Sequence, residues 1–78
     1  MPSLDETAAQ IIHLTNTRGA DAARLAVQEA DAYLGTFGPA EVTERRVELV
    51  DLLRAKGRQT SAMDHVILAV EHSSPPAR

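Results

Sequence analysis

The chain has no cysteine, so neither a disulfide nor a zinc site built from thiolates can stabilise it. Its 78 residues make a single small domain, and a domain of that size buries only a modest part of its surface. Small domains usually gain stability from a disulfide, a metal or a partner chain. We therefore expect either association with another chain or unusually efficient packing of helices.

Aromatic residues are also scarce, with one tyrosine, one phenylalanine and no tryptophan. Alanine, leucine, valine, glutamate and arginine are common instead, and this composition favours helices over strands. No segment stays apolar for the roughly 18 residues that suggest a membrane-spanning helix. The N-terminal sequence MPSLDETAAQ lacks the charged and then apolar pattern of a secretory signal. We expect a cytoplasmic protein that does not contact a membrane.

The chain also has no excess of positive charge, since its formal net charge is −3. Proteins that bind the backbone of nucleic acids normally carry a basic stripe, so this balance disfavours direct binding to DNA or RNA. The acidity is nevertheless too mild to indicate a mimic of nucleic acid.

Helical periodicity is present in four segments, residues 3–19, 21–35, 39–57 and 61–73. The first three end at Gly19, Gly35 and Gly57, and Pro39 suits the first helical position of the third. The sequence therefore predicts an all-α fold, a small bundle or orthogonal array of three to four short helices. Residues 1–72 form this single domain, and residues 73–78 are expected to be a flexible C-terminal tail.

Polar residues mark the expected helix starts. Ser3 or Asp5 can cap the first helix, and Asp21 can cap the second. Ser61 and Asp64 have the spacing of a capping box, with aspartate in place of the usual glutamate or glutamine. We therefore predict that the fourth helix is capped by Ser61.

Each segment carries an apolar stripe at helical spacing, and the inner part of the second stripe is mostly alanine. The stripe residues are Leu4, Ala8, Ile11, Ile12, Ala23, Ala26, Val27, Ala30, Tyr33, Leu34, Val42, Leu49, Val50, Leu53, Met63, Val66, Ile67 and Val70. Leu25, Leu52 and Leu68 lie off these stripes. The fourth segment is apolar nearly all round, which is typical of a helix that is either buried at the centre of the fold or covered by a partner. We predict that these three leucines contact a partner.

Asp64 and His65 are neighbours in the sequence GRQTSAMDHVILAVEH, and they suggest a catalytic pair at first sight. Adjacent helical residues point about 100° apart, so neither side chain readily orients the other. His65 and His72 are separated by two helical turns, roughly 10.5 Å, whereas zinc-binding pairs sit three or four residues apart. We predict a protein that is not an enzyme and has no metal or cofactor. A pH-sensitive contact through either histidine stays open.

A basic cluster, Arg54, Lys56 and Arg58, lies where the third segment joins the fourth. The two segments follow one another across a short turn, as the helices of a helix-turn-helix motif do. If the protein bound nucleic acid, this cluster would contact the phosphates. The helix that follows would present Asp64 and Glu71 to the groove, where Arg, Lys, Asn or Gln are usual. Nucleic acid is therefore possible but disfavoured as a partner.

The stretch GRQTSAMDHVILAV also resembles the end of a histone fold, in which a basic-x-Thr loop precedes an Ala-x-Asp helix start. The matching residues are Arg58, Thr60, Ala62 and Asp64. The chain differs from that family in its acidic charge and in the sequence GTFGP, which interrupts the region of the long central helix. The resemblance adds a histone-like form to the nucleic-acid alternative and does not assign the chain to that family.

The sequence thus favours a small, non-catalytic, regulatory protein-binding module that acts through an apolar helix face and forms a homodimer. Its partner would be a second copy, another protein, or both. One alternative is a small nucleic-acid-associated regulator, helix-turn-helix-like or histone-like. Another alternative is an acidic inhibitor that occupies the binding site of a different protein.

Overall fold

A computed structural model describes residues 3–73 of the chain. Its four helices are α1 (Leu4–Thr17), α2 (Ala22–Leu34), α3 (Pro39–Lys56) and α4 (Ser61–Glu71), and a short 3-10 turn (Gly19–Asp21) joins α1 to α2. Residues 3–73 contain no strand, which confirms the predicted all-α fold of short helices. Within this range no helix is both long and apolar enough to cross a bilayer. Apart from Ser73, the predicted tail lies outside the described residues.

The breaks between helices fall at the predicted glycine and proline positions. Gly19 has a φ of 56°, a left-handed conformation that residues with a Cβ rarely adopt. Gly35 ends α2, and Pro39 begins α3, where its fixed φ fits the helix and its missing N–H leaves no donor unsatisfied. Gly57 ends α3, and a Cβ at this position would lie 2.6 Å from the carbonyl oxygen of Leu53.

The first helix starts with a side-chain cap, and the second does not. Ser3 caps α1, because its Oγ accepts a hydrogen bond from the backbone N–H of Glu6 at 3.2 Å. Asp21 precedes α2 as predicted but makes no capping hydrogen bond. Its backbone is part of the 3-10 turn, with φ and ψ of −87° and −5°, instead of the extended conformation that capping residues usually have. Its carboxylate lies 3.7 Å from Arg24 instead.

The predicted capping of α4 by Ser61 is wrong, because the N-cap is Thr60. The Oγ1 of Thr60 accepts a hydrogen bond from the backbone N–H of Met63 at 3.1 Å. Thr60 has the extended backbone that an N-cap requires, with φ and ψ of −122° and 161°, whereas Ser61 is already the first helical residue. Asp64 remains in the first turn, where the helix dipole favours an acid.

The core lies where α2 packs against α1 and α4, and α3 crosses α1 and α4. Its buried apolar residues are Ala8, Ile11, Leu14, Ala22, Ala26, Ala30, Tyr33, Leu34, Leu49, Val50, Leu53, Met63, Val66, Ile67 and Val70. The predicted stripe of α4 is therefore buried throughout. Ala26 and Ala30 have no exposed surface, so the alanine side of α2 is where the neighbouring helices come close, as predicted.

Arg46 links α3 to the C-terminal end of α4 through hydrogen bonds. Its Nη1, which carries two N–H donors, lies within hydrogen-bond distance of four acceptors: the carbonyl oxygens of Val70 at 3.3 Å and Glu71 at 3.2 Å, the Oγ of Ser73 at 3.2 Å, and the carbonyl oxygen of Ser73. The last carbonyls of a helix have no partner within the helix and carry partial negative charge, so a cation at this position stabilises them. Ser73, which the sequence assigned to the tail, is buried in this contact.

Tyr33 lies at the end of α2 and is almost fully buried. Its ring meets that of Phe37 edge to face, with centroids 5.2 Å apart, and the guanidinium of Arg45 lies 5.3 Å from the centroid of Phe37. Arg45 also donates a hydrogen bond to Glu48 at 2.8 Å. Burial raises the pKa of Tyr33 above its usual value, and the charge of Arg45 offsets part of this effect.

Candidate functional site

Two large hydrophobic side chains are exposed among residues 3–73, those of Val47 and Leu68, with 56% and 55% of their surface accessible. Val47 is on α3 and Leu68 is on α4, and the Arg46 contact holds these two helices together. Singly exposed apolar residues are common on protein surfaces, whereas contiguous apolar patches mark contact surfaces.

Val47 and Leu68 line two neighbouring cavities between α3 and α4. The first cavity, of about 340 Å³, is lined on its apolar side by Val47 and Val50. The second, of about 370 Å³, is lined by Ile67 and Leu68 together with Met63. Both cavities are bordered by Arg54 and Glu71. We call the surface formed by Val47, Val50, Arg54, Ile67, Leu68 and Glu71 the α3–α4 face.

An ion pair crosses the middle of the α3–α4 face. The Nη2 of Arg54 donates a hydrogen bond to the Oε1 of Glu71 at 2.8 Å, and both side chains are well exposed. Exposed pairs of this kind contribute little to stability, typically about 0–1 kcal/mol. Because it is exposed, the pair is free to exchange partners with charges on another molecule.

Acidic residues also border the two cavities. Asp51 lines the cavity of Val47, and Asp64 lines that of Leu68. The α3–α4 face is therefore apolar in two places, with charges of both signs between and around them. Such a surface fits a partner whose charges are also mixed, because a partner of one sign would meet repulsion.

The structure places the three predicted contact leucines in different environments. Leu68 is exposed on the α3–α4 face. Leu52 is half-buried and packs against the core, and Leu25 is half-buried on α2. Neither of these two lines the cavities between α3 and α4.

Val47 was missed by the sequence interpretation. It flanks the apolar stripe of α3 on the side opposite Leu52, so the criterion that selected Leu52 applied equally to Val47. Helical spacing alone does not show which of two flanking residues a neighbouring helix covers. That choice depends on where α4 crosses α3, which is fixed by contacts such as that of Arg46.

The basic cluster at the end of α3 is exposed, but its charges are not all available. Arg54 is paired with Glu71, and its carbonyl oxygen accepts a hydrogen bond from the Nε2 of Gln59 at 3.3 Å. Lys56 is the last residue of α3, and Arg58 lies in the loop that follows. A phosphate would therefore compete with Glu71 for Arg54, which leaves two cations at this corner.

Within the described residues, the histidines do not belong to a cluster that could hold a metal ion. His13, His65 and His72 are all exposed. Within residues 3–73, no three side chains of histidine, cysteine, aspartate or glutamate come together in a way that holds a metal ion. Asp64 and His65 are both exposed in the first turns of α4, with Asp64 beside the cavity of Leu68.

A further cavity, of about 510 Å³, lies between α1 and α2 and is lined mainly by polar residues: Glu6, Thr7, Ala9, Gln10 and Glu29. The Oγ1 of Thr7 has no hydrogen-bond partner, but it is buried beneath the surface. Two glutamates alone do not define a site.

Comparison with known proteins finds no matching family model, no similar curated protein and no similar solved structure. The functional interpretation therefore depends on the chemistry of the surface. Among residues 3–73, the α3–α4 face combines exposed apolar side chains, concavity and charges of both signs.

Proposed function

We propose that the protein is a small, non-catalytic protein-binding module whose α3–α4 face binds a second copy of the chain. The observation that carries this proposal is the placement of Val47 and Leu68, both exposed, on one concave face. Association of two copies would remove four aliphatic side chains from water, and burial of apolar surface is the main force that drives protein association. The short chain, with no disulfide, gains most from such a partner.

The charges of the α3–α4 face support a second copy as the occupant. The two cavities of this face are lined by two cations, Arg46 and Arg54, and by three anions, Asp51, Asp64 and Glu71. A face with both signs can be complementary to itself, whereas a face of a single sign would repel its own copy. A different protein with a mixed-charge, apolar helix would use the same surface and is the hetero-partner form of the proposal.

Sedimentation equilibrium over a range of concentrations tests self-association. We expect the unmodified chain to approach twice its monomer mass of 8.4 kDa at high micromolar concentration. Leu68→Glu and Val47→Glu place a charge in each apolar part of the face and should both yield monomers. Because both positions are exposed, the helical circular dichroism should not change.

Ala32→Glu is the matched control, since Ala32 is exposed on α2 and does not border either cavity between α3 and α4. This variant should associate like the unmodified chain. A monomeric mass for the unmodified chain at high micromolar concentration would rule out self-association. Equal weakening by the control and by Leu68→Glu would show that the α3–α4 face is not the surface involved.

A further inference from the structure

The cavity between α1 and α2 carries negative charge that no cation of the described chain offsets. Two of its five lining residues are acidic and none is basic. Among residues 3–73, neither Glu6 nor Glu29 belongs to an ion pair. Glu29 is half-buried on α2, where an unpaired charge is costlier than at a fully exposed position. The charge of the cavity therefore favours a positively charged ligand.

Thr7 supplies a second and independent feature of the same cavity. It lines the cavity with 3% of its surface exposed, and its Oγ1 has no hydrogen-bond partner. Thr15 and Thr17 of α1 differ, because the Oγ1 of each donates a hydrogen bond at 2.8 Å to the carbonyl oxygen four residues earlier. A buried hydroxyl without a partner is costly, and a bound water or ion is a common explanation. The hydroxyl of Thr7 is thus left for a ligand.

We propose that this cavity binds the primary ammonium group of an alkyl amine. An ammonium group has three N–H donors and no acceptor. The cavity offers matching acceptors, which are the carboxylates of Glu6 and Glu29 and the hydroxyl oxygen of Thr7. Hydrogen bonds from an ammonium to a carboxylate are charge-assisted and stronger than those between neutral groups.

The size and the lining of the cavity suit an organic cation. Small-molecule sites typically enclose about 300–1,000 Å³, and this cavity of about 510 Å³ falls within that range. The methyl group of Ala9 lies in the lining and offers an apolar contact to an alkyl chain. Glu6 and Gln10 are exposed and one helical turn apart on α1, so their long side chains can turn to admit the amine to the covered hydroxyl.

Amide chemical shifts of the isotopically labelled chain test the site in a titration with putrescine, a short alkyl diamine. We expect saturable shifts concentrated at the residues that line the cavity: Glu6, Thr7, Ala9, Gln10 and Glu29. Butanediol, which has the same length and no charge, should give no such shifts. Equal shifts with butanediol, or no saturable shift with putrescine, would overturn the proposal.

Charge removal distinguishes this cavity from the general acidity of the chain. Glu29→Gln should weaken putrescine binding several-fold, because it removes one of the two charge-assisted acceptors. Glu44→Gln is the matched control, since Glu44 is exposed on α3 and does not line the cavity. This control should bind putrescine like the unmodified chain. Equal weakening by the two variants would mean that putrescine responds only to net charge, and the proposed site would be wrong.

The hydroxyl of Thr7 gives a test in which stability and binding change in opposite directions. Thr7→Val replaces the hydroxyl by a methyl group, so the free chain should melt at a higher temperature while putrescine binds several-fold more weakly. Thr7→Ser keeps the hydroxyl and should bind like the unmodified chain. A Thr7→Val variant that binds putrescine as tightly as the unmodified chain would overturn the assignment of this hydroxyl to the ligand.

A primary ammonium group occurs both in free amines and in the lysine side chains of other proteins. Titration with the amide of acetylated lysine, compared with putrescine, separates these two sources. Tighter binding of putrescine would assign the site to a free amine, and tighter binding of the lysine derivative would assign it to a lysine of a partner. The cavity lies on α1 and α2. The proposal is therefore independent of association through the α3–α4 face.

Discussion

The guanidinium of Arg46 in α3 lies over the last turn of α4, with its Nη1 3.3 Å from the carbonyl oxygen of Val70. The same nitrogen bonds to the backbone of Glu71 and Ser73. One side chain thus places a cation at the C-terminal end of α4, where the carbonyl oxygens of Glu71 and Ser73 lie beyond the hydrogen bonds of the helix. Because Val47 follows Arg46, this contact also sets the position of Val47 relative to α4.

Replacement of Arg46 by methionine should therefore destabilise the fold. Methionine retains the aliphatic packing but removes the donors, so we expect the free energy of unfolding to fall by about 1–3 kcal/mol. Urea denaturation followed by circular dichroism measures the change. Arg24→Met is the matched control, since its ion pair is exposed, and it should cost less than about 1 kcal/mol. If Arg46→Met and Arg24→Met lower the free energy of unfolding equally, the contact of Arg46 with α4 contributes no more to stability than an exposed ion pair does.

The cap of α4 gives a second pair of variants at adjacent positions. The Oγ1 of Thr60 bonds to the backbone N–H of Met63, whereas Ser61 is the first helical residue. Thr60→Ala should lower the free energy of unfolding by about 0.5–2 kcal/mol, and Ser61→Ala should change it by less than about 0.5 kcal/mol. Thermal or urea denaturation of the two variants side by side measures both. A larger loss for Ser61→Ala than for Thr60→Ala would show that Ser61 is the N-cap.

These two contacts illustrate what the sequence can and cannot specify. Glycine and proline act locally, so Gly19, Gly35, Pro39 and Gly57 marked the helix boundaries. Capping is also local, but a threonine followed by a serine offers two candidates, and the backbone conformation decides between them. The contact of Arg46 joins residues more than twenty positions apart, and no pattern within one helix reveals it.

The residues of the candidate site, like the helix contacts, were predictable from the sequence only in part. Leu68 was found from the sequence because α4 is apolar on nearly all sides and its other apolar residues suffice for the core. Leu25 and Leu52 were selected by the same criterion, yet both are half-buried, and Leu52 packs against the core. Periodicity identifies residues that lie off a stripe, but the crossing of the helices determines which of them become covered.

The alanine side of α2 should not tolerate larger side chains. Ala26 has no exposed surface, and α2 packs there against its neighbours. Ala26→Leu adds three carbons to a filled core, so we expect a loss of about 1–3 kcal/mol in the free energy of unfolding. Ala32→Leu adds the same atoms at an exposed position of α2 and should change stability by less than about 0.5 kcal/mol. An Ala26→Leu variant as stable as Ala32→Leu would indicate that the helices are not in close contact.

The nucleic-acid alternative predicts a different result from the one we expect. Arg54 is neutralised by Glu71, and Asp64 lies beside the same groove, so the corner with Lys56 and Arg58 has little net positive charge. We expect no binding to duplex DNA at low salt in a fluorescence anisotropy titration, although electrostatic association is strongest there. Binding that is lost as salt increases, and that Lys56→Gln weakens, would instead support the alternative.

Tyr33 provides a spectroscopic probe of the core, because the chain has one tyrosine and no tryptophan. Burial raises its pKa, so the tyrosinate absorbance of the folded protein should appear at a pH above the usual pKa of 10.0. In the unfolded chain Tyr33 ionises at a lower pH than in the folded protein, because its pKa is not raised there. The stabilising effect is therefore complete below pH 10.0 and is lost as pH rises through the folded-state pKa.

Tyr33→Phe isolates this effect from the titration of other groups, because phenylalanine retains the buried ring and its contact with Phe37. Between neutral pH and about pH 11, the unmodified chain should lose more free energy of unfolding than the Tyr33→Phe variant does. Urea denaturation at several pH values measures the difference between the two proteins. An absorbance midpoint at or below the usual pKa, together with parallel pH profiles, would mean that the hydroxyl of Tyr33 is as well solvated in the folded chain as in the unfolded one.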